Sequence, residues 1–393
     1  MLNKLLPAEV VAFIKEHEHS DLNRLLLNKH KYPHIPIDLV VNQIKARTKA
    51  KYKLPLWYKT EGVIFPPLLS MEQCSSEQTA LFKASLIKGT LAIDLTGGAG
   101  VDSFYLSKQF EKVLYVEQNK ELAQLTKHNF KVLGADNITV INQLSESFLA
   151  EFKGLADLIY IDPARRDQNQ KVFLFESCSP NILSLQKELL EKAKRVIIKA
   201  SPMLDISKGI HQLLQVEQVH VVALKNEVKE LLFIQSQQTT GSILIQAIDL
   251  FNKSIFSTTW EDKMSASIGE IKQYLYEPNA AILKTGKTDT LCALYKVDKL
   301  NPNTHLFTSN LLIKNFPGRV FKIEKEVKYD KKEIQKLVPS KKANIAVRNF
   351  PDSVEALRKK TGIVPGGTTY LFGVRTMNNL VKILICKKYS MQG

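Results

Sequence analysis

Between Leu91 and Gln235 the sequence alternates short, almost uninterrupted apolar segments with longer amphipathic ones. The segments TLAIDL, KVLYVEQN, NITVIN, DLIYID and RVIIKAS have the length and β-branched content of buried strands, and helices are predicted between most of them. Two further strands, HVVAL and ELLFIQ, follow. Strands that are apolar along their whole length belong to a parallel sheet that helices cover on both faces. The sequence therefore predicts a doubly wound α/β domain over residues 81–258.

The rest of the chain divides into three parts. Residues 1–80 are predicted to form an N-terminal helical region. Residues 259–312 combine a predicted helix, SIGEIKQYL, with a strand-like segment, TLCALYKV, which indicates a small α+β domain. Residues 313–393 contain four predicted strands, GRVFKIEKEV, ANIAVRN, TTYLFGVR and LVKILICKK, and a helix, SVEALRKKTG, that ends at a glycine. This part is predicted to be a second α+β domain.

Charge is distributed unevenly along the chain. The formal net charge is +5 in residues 1–90, −1 in residues 91–310 and +12 in residues 311–393. A neutral centre suits a pocket for a compact ligand, and basic ends suit a long polyanion, because neutralising phosphates releases counterions. Alternatively, the lysines form a solvated face that keeps the protein soluble. Charge alone leaves both interpretations open.

Several classes of protein are excluded by composition. No apolar run approaches the roughly 18 residues that a membrane span requires. The four cysteines are far apart and form no CxxC pair, and the eight histidines show no metal-ligand spacing. We therefore expect a cytoplasmic protein with no membrane association, no disulfide framework and no metal site.

The segment DLTGGAG lies where the first predicted strand passes into a helix. An open α/β sheet presents its ligand crevice at this point, and glycine lets the backbone approach a ligand closely. A dinucleotide fingerprint would place a glycine where Ser103 stands, and no Gly-Lys-Ser/Thr follows as in a nucleotide-binding P-loop. A tight structural turn is the alternative interpretation. The candidate ligand-binding residues in this segment are Asp94, Thr96, Gly97, Gly98 and Gly100.

Glu117 ends the second predicted strand, 23 residues after Asp94. A carboxylate at this place can accept hydrogen bonds from both hydroxyls of a ribose that is bound across the glycine turn. Together the turn and Glu117 resemble the class I S-adenosylmethionine methyltransferases. The resemblance implies that the acidic residue before the glycines lies near the methionine end of that cofactor and that Glu117 binds its ribose. The family often has an acidic residue for the adenine amine after the third strand, where this chain has Asn142. Asn142 and Asp162 complete the set of candidate cofactor-binding residues.

The fourth predicted strand ends in the segment IDPARRD. This segment resembles the Asp/Asn-Pro-Pro-aromatic motif of methyltransferases that modify amino groups of nucleobases, and Asp162 and Pro163 match its first two positions. The resemblance implies that Asp162 accepts a hydrogen bond from the target amine. The candidate catalytic residues are therefore Asp162, Pro163 and Arg165. Arg165 and Arg166 are candidate substrate contacts, by stacking on a base or by pairing with phosphate. Alternatively, they form a surface ion pair with Asp167.

The fifth predicted strand ends in the segment KASPMLD, which is expected to border the same crevice. Ser201 is a candidate substrate-binding residue, although Ser201 or Asp205 could instead cap the following helix. Cys178 could be a nucleophile for a covalent pyrimidine mechanism. Because no matching base accompanies it, we interpret it as a small buried apolar side chain.

Taken together, DLTGGAGVDSFYLS, DPARRD, KASPMLD and the C-terminal NIAVRNFP and GIVPGGTTYLFGVR resemble bacterial class I methyltransferases with a C-terminal THUMP-like domain. This resemblance implies a Rossmann-like sheet, a small ferredoxin-like linker domain over 259–312 and a basic THUMP-like domain over 313–393. It also implies methylation of an RNA nucleobase, in tRNA or rRNA, by fold-level analogy. The alternatives are a small-molecule or protein methyltransferase and a non-catalytic RNA-binding protein with a degenerate pocket. The GIVPGGT segment either offers backbone amides to phosphate or is a plain turn.

Overall fold

The computed structural model describes residues 1–165, 175–238 and 241–389. Its contacts divide the chain into two compact units. The first unit comprises Met1–Gln218 and Leu231–Gly241, and the second comprises Val219–Glu230 and Ser242–Gly393. No helix among the described residues combines the length and the apolarity that crossing a bilayer requires.

The N-terminal region is helical, as the sequence predicts. Val40 and Ile44 of the long fourth helix pack with Val10 and Leu5 in a small apolar core. The helices of this region are α1 (Leu2–Leu5), α2 (Ala8–Glu16), α3 (Leu22–Leu27), α4 (Ile37–Lys53), α5 (Pro55–Lys59), α6 (Leu68–Gln73) and α7 (Glu77–Ser85), with a short 3-10 helix at Lys29–Lys31.

Between residues 89 and 236 most strands are separated by helices, as the sequence predicts. A 3-10 helix, Phe175–Ser177, precedes the sixth strand. The elements are β1 (Gly89–Asp94), α8 (Val101–Leu106), β2 (Phe110–Val116), α9 (Lys120–Val132), β3 (Ile138–Ile141), α10 (Ser145–Glu151), β4 (Ala156–Ile161), β5 (Ala164–Arg165), β6 (Cys178–Ser179), α11 (Ile182–Lys192), β7 (Ala193–Ala200), α12 (Ile206–Gln212), β8 (Val216–Leu224) and β9 (Glu227–Ser236).

The central strands are parallel and run in the order β3-β2-β1-β4-β7. The next strand, β9, pairs antiparallel with β7, so the parallel part of the sheet that the apolar segments predict ends at β7. The reason is the two-residue connection between β8 and β9, because a crossover to a parallel strand needs a dozen residues or more. Lys225 and Asn226 form this connection at positive φ angles of 54° and 60°, as tight hairpin turns require.

The parallel arrangement decides where the candidate residues lie. Asp94 at the end of β1 is in register with Tyr115 on β2 and with Tyr160 on β4. Each parallel strand therefore ends at the same edge of the sheet, where an open α/β sheet binds its ligand. Glu117 and Asp162 each follow the last residue of their strand directly, so both are delivered to this edge.

The second unit contains the strands β8, β10 and β11 in the order β11-β10-β8, and a separate seven-stranded sheet in the order β13-β14-β12-β15-β18-β17-β16. The additional elements are β10 (Leu244–Asp249), β11 (Ser254–Thr259), β12 (Tyr274–Pro278), α13 (Ala280–Thr285), α14 (Thr288–Tyr295), β13 (Asp298–Asn301), β14 (Thr304–Ser309), β15 (Gly318–Lys328), α15 (Lys331–Leu337), β16 (Asn344–Arg348), α16 (Val354–Thr361), β17 (Thr369–Arg375) and β18 (Val381–Lys388).

Two predictions for residues 259–312 are wrong. The segment SIGEIKQYL forms no helix, and its last two residues begin β12, which pairs with both β14 and β15. The segment TLCALYKV is not a strand, because most of it lies in α14, where Thr288, Leu291 and Cys292 are buried at helical spacing. In both segments packing against distant residues overrides local propensity.

The four predicted C-terminal strands are confirmed as β15 to β18, and the predicted helix is confirmed as α16. Gly362 ends α16 at φ 72°, in the left-handed region that favours glycine. One apolar core, which includes Ile334 and Leu357, joins α15 and α16 to one face of the sheet. A second core, which includes Phe321 and Phe372, contains residues that alternate with the first along β17 and β18.

Candidate active site

The glycine turn after β1 needs glycine at two positions for different reasons. Gly100 has a φ of 76°, and a Cβ there would lie 2.4 Å from Thr126 Cγ2 and 2.8 Å from Phe130 Cζ. Gly98 has a φ of 54°, but a Cβ there would meet only the Thr96 carbonyl oxygen, at 3.6 Å. Gly100 therefore lets the turn pack against α9, whereas Gly98 leaves open space on the side away from the core.

The turn is fastened to strand β2. The backbone N–H of Gly97 donates to the Val116 carbonyl at 2.9 Å, and the Tyr115 hydroxyl donates to the Gly98 carbonyl at 2.6 Å. A Cβ on Gly97 would lie 2.2 Å from the Tyr115 ring. These contacts fix the position of the Gly98 backbone, and they leave its N–H to be satisfied from elsewhere.

Glu117 satisfies that N–H. Its Oε2 accepts the Gly98 N–H at 2.9 Å, and its Oε1 accepts the backbone N–H of Asn119 at 2.7 Å. The Asn142 side-chain amide donates to the carbonyls of Glu117 and Gln118, at 2.8 and 3.0 Å. The structure thus brings three of the candidate cofactor-binding residues together at one edge of the sheet.

Asp94 is buried beneath the turn, with 1% of its surface exposed. Its Oδ2 accepts the Ser103 hydroxyl at 2.6 Å, and its Oδ1 accepts the Thr96 backbone N–H at 3.1 Å. Burial raises the pKa of Asp94 to about 7, against the lowering effect of its hydrogen bonds. Sequence reasoning missed the role of Ser103, which occupies the place of the third fingerprint glycine and binds the carboxyl that organises the turn.

Asp162 lies at the end of β4 beside this turn. Its backbone N–H donates to the Thr96 hydroxyl at 2.6 Å, which connects the fourth strand to the glycine turn. Its carboxylate forms an ion pair with Lys199 on β7, at 2.5 Å between Oδ2 and Nζ. Sequence reasoning did not single out Lys199. The available signal was its position at the end of the strand that neighbours Asp162.

A second, buried ion pair lies in the first unit and involves the helix that follows the glycine turn. Lys83 on α7 is 2% exposed, and its Nζ lies 3.2 Å from Asp102 Oδ1 on α8. The hydroxyls of Ser75 and Tyr160 also donate to Asp102, at 2.8 and 3.0 Å. Burial favours the neutral acid, but Lys83, Lys199 and these hydrogen bonds outweigh it, so the pKa of Asp102 is lowered. Sequence reasoning missed this network.

The N-terminal helical region contains a partly buried lysine, Lys53. The Lys53 ammonium at the end of α4 donates to the carbonyls of Met71 and Glu72, at 2.9 and 2.8 Å. Burial lowers the pKa of Lys53, and the positive charge of nearby Lys199 lowers it further. Lys53 is therefore close enough to Lys199 for the two charges to interact. Lys53 therefore fastens the end of α4 to α6.

The other predicted site residues lie as follows. Pro163 is buried, and Arg165 belongs to the short strand β5, whereas Arg166 lies outside the described residues. The Ser201 hydroxyl accepts the Met203 N–H at 3.2 Å, and Asp205 caps α12. The substrate-binding roles of Arg165, Arg166 and Ser201 remain predictions.

A parallel sheet with a glycine turn after its first strand, a carboxylate after its second and a DP motif after its fourth defines a Rossmann-like methyltransferase fold. Residues 76–224 match the family described as conserved hypothetical protein 95, residues 274–317 match a ferredoxin-like domain, and residues 318–388 match a THUMP-like domain. Together these three matches cover most of the chain.

Two known proteins are similar to this chain. A crystal structure described as a "putative methyltransferase" from Porphyromonas gingivalis W83 is 32% identical, with a TM-score of 0.87, over 96% of this chain and 97% of that one. The chain therefore belongs to the same family as the protein in that crystal structure. This is a family of methyltransferases with a THUMP-like C-terminal domain. A tRNA/tmRNA (uracil-C(5))-methyltransferase from Nautilia profundicola is 28% identical over 184 residues. That similarity spans 42% of this chain and 48% of the relative, about half its length.

Proposed function

We propose that this protein is an S-adenosylmethionine-dependent methyltransferase that methylates an amino group of an RNA nucleobase. The observation that carries the proposal is the contact between Glu117 and the Gly98 N–H, which places a carboxylate beside an open glycine turn. Open sheets of this kind bind nucleosides at this location.

The residues present fit the cofactor. Gly98 leaves open space where a side chain would stand. Each carboxylate oxygen of Glu117 accepts one backbone N–H and keeps further lone-pair capacity for the two ribose hydroxyls. The Asn142 amide nitrogen is used on two carbonyls, so its Oδ1 is the atom that can accept a hydrogen bond from the adenine amine. When bound, the cofactor supplies an electrophilic methyl group on a sulfonium.

Asp162 and Lys199 supply the chemistry on the acceptor side. Transfer of a methyl group to an amine is a displacement, so the protein has to align the nitrogen and provide a group that accepts its proton. The Asp162 carboxylate can accept a hydrogen bond from the amine, and Lys199 holds that carboxylate in place. Together they present an acceptor and a donor side by side. This pair matches a base edge on which an amine adjoins a ring nitrogen or a carbonyl.

Charge supports RNA as the substrate class. Residues 311–393 carry a net charge of +12, and residues 318–388 match a THUMP-like domain. The similarity to a tRNA/tmRNA methyltransferase agrees with this substrate class. A polyanion gains affinity from each phosphate that the lysines neutralise, which a small uncharged substrate does not.

The covalent route to the C5 carbon of a pyrimidine is less well supported. It needs a reactive thiolate at the site. Cys178 is fully buried, and burial raises the pKa of the Cys74 thiol against the effect of nearby Lys53. Methylation of an exocyclic amine is therefore the chemistry that the side chains favour.

The experiment that tests the proposal has two parts. Calorimetry with S-adenosylmethionine first measures whether the protein binds the cofactor, and absence of binding at micromolar concentrations would leave only the non-catalytic interpretation. The protein is then incubated with labelled cofactor and with RNA from a strain that lacks this protein. The RNA is digested to nucleosides, and the labelled nucleoside is identified by mass spectrometry. We expect label in an N-methylated base with the wild-type protein and a loss of label with Asp162→Ala, which removes the acceptor oxygen. Label in C5-methyluridine would contradict the assigned acceptor.

A further inference from the structure

Two turns of the C-terminal half are joined into one surface. We call residues 339–343, between α15 and β16, the lysine turn, and residues 362–368, between α16 and β17, the PGG turn. The Val364 N–H donates to the Lys341 carbonyl at 2.9 Å, and the Ala343 N–H donates to the Val364 carbonyl at 3.0 Å. This pair of hydrogen bonds fixes the position of one turn relative to the other.

Further contacts bring the two turns close together. The Asn344 side-chain amide donates to the Gly367 carbonyl at 2.9 Å, and a Cβ on Gly367 would lie 3.2 Å from the Lys342 carbonyl oxygen. Gly366 and Gly367 have φ values of 120° and 75°, and a Cβ on Gly366 would meet nothing within 4 Å. The PGG turn therefore presents backbone without side chains beside Lys342.

Backbone N–H groups of this turn are available to bind a ligand. Within the part of the chain that the structure describes, the N–H groups of Gly366, Gly367 and Thr368 donate no hydrogen bond. Thr368 is exposed and adds a hydroxyl at the same place. Successive backbone N–H groups in turns with positive φ are favourable binding sites for anions.

Positive charge predominates around the same turns. The sequence has no Asp or Glu between residues 334 and 351, and none from residue 356 to the C-terminus. The Gln335 side chain donates to the Thr361 carbonyl at 2.7 Å, which brings α15 against the end of α16. In the described residues none of the exposed lysines around this junction forms an ion pair; they are Lys336, Lys341, Lys342, Lys359 and Lys360.

We propose that the lysine turn and the PGG turn together bind a phosphodiester of the RNA backbone. Adjacent N–H donors and ammonium groups match the several acceptor oxygens of a phosphate, and the neighbouring lysines match the regular repeat of charge along a nucleic acid strand. This inference rests on the proposed function, because it locates where the RNA is held, and it adds a site remote in sequence from the catalytic residues.

The test uses the full chain with the substitutions K341Q and K342Q combined. Deletion of the C-terminal domain is unsuitable because β15 pairs with β12, so the cut would break a sheet. Binding to total tRNA is measured at several salt concentrations. We expect the slope of log affinity against log salt to fall by about 1.4 to 1.8, and the affinity in about 0.1 M salt to fall by about tenfold or more.

A matched variant, K322Q with K325Q, removes the same charge from exposed positions on β15, and we expect its salt slope to stay within about 0.5 of the wild type. Calorimetric binding of S-adenosylmethionine verifies that each variant is folded. If the wild type binds and methylates RNA and K341Q/K342Q keeps the wild-type slope, the junction is not the phosphate site, although the proposed function stands. Equal losses in both variants would also overturn the assignment. Absence of RNA binding by the wild type would instead overturn the proposed function, and the site with it.

Discussion

The Glu117 carboxylate accepts the backbone N–H of Gly98 at 2.9 Å, across 19 residues of sequence. This contact joins the end of β2 to the turn after β1, and it preorganises the carboxylate before any ligand binds. Because the second carboxylate oxygen is held by the Asn119 N–H, the side chain loses little further conformational entropy on binding.

Replacing Glu117 by Ala is expected to weaken binding of S-adenosylmethionine by roughly 1–3 kcal/mol, because charge-assisted hydrogen bonds to the ribose are lost. Isothermal titration calorimetry measures the effect. Glu111→Ala, an exposed carboxylate near the other end of β2, is the control and is expected to bind the cofactor like the wild type. Unchanged affinity in Glu117→Ala would contradict the assigned ribose contact.

The two positive-φ glycines of the turn are expected to respond differently to Ala. Gly98→Ala meets open space, so only backbone strain of roughly 1 kcal/mol is expected, together with weaker cofactor binding. Gly100→Ala adds a collision with Thr126 and Phe130, so a further loss of roughly 1–3 kcal/mol is expected. Chemical denaturation measures both. A Gly98 variant less stable than the Gly100 variant would show that the packing is assigned wrongly.

Asp94 is expected to make the first unit less stable as pH rises. Its pKa is about 7 in the folded protein and near 3.8 in the unfolded chain, so between these values only the folded state holds the proton. Stability is therefore full below about pH 4 and falls up to about pH 7, by roughly 4 kcal/mol for a shift of about three units. Asp94→Asn removes this titration.

Denaturation of the wild type and of Asp94→Asn from pH 4.5 to pH 8 isolates the contribution of Asp94. The Asn side chain can still accept the Thr96 N–H and can donate to the Ser103 hydroxyl, so the variant is expected to fold. We expect the variant to gain stability relative to the wild type as pH rises. A constant difference across this range would show that Asp94 does not titrate there.

Lys83→Met is expected to destabilise the protein by roughly 3–5 kcal/mol, because it leaves Asp102 as a buried charge without its cation. The double variant K83M/D102L removes both charges and is expected to recover part of that loss. Thermal unfolding measures both proteins. If the double variant were less stable than Lys83→Met by the full cost of a second independent mutation, the two side chains would not be coupled.

The alternation of apolar and amphipathic segments was sufficient to predict the α/β sheet, because a strand that is apolar on both faces has to be covered by helices. The same periodicity could not decide the direction of β9, which depends on the short turn at Lys225 and Asn226. It also failed in residues 259–312, where packing and strand pairing with distant residues outweigh local preference.

At the site, residue type and strand position predicted which polar side chains reach the edge of the sheet. Asp94, Glu117 and Asp162 could be selected because each lies at or next to the end of an apolar strand. Lys83 and Ser103 could not be selected as partners, because their roles depend on distances between residues that are far apart in sequence or on one turn of a particular helix. Lys199 lies near the end of an apolar strand, but its pairing with Asp162 depends on which strands are neighbours in the sheet.

The sequence by itself determined the class of fold, the glycine turn and the charge of the C-terminal part, since these follow from local pattern and composition. Only the tertiary structure decided that Glu117 holds Gly98, that Lys199 pairs with Asp162, and that the lysine turn meets the PGG turn. The physical reason is that hydrogen bonds and ion pairs act over a few ångströms, so they depend on the geometry that strand pairing and side-chain packing impose.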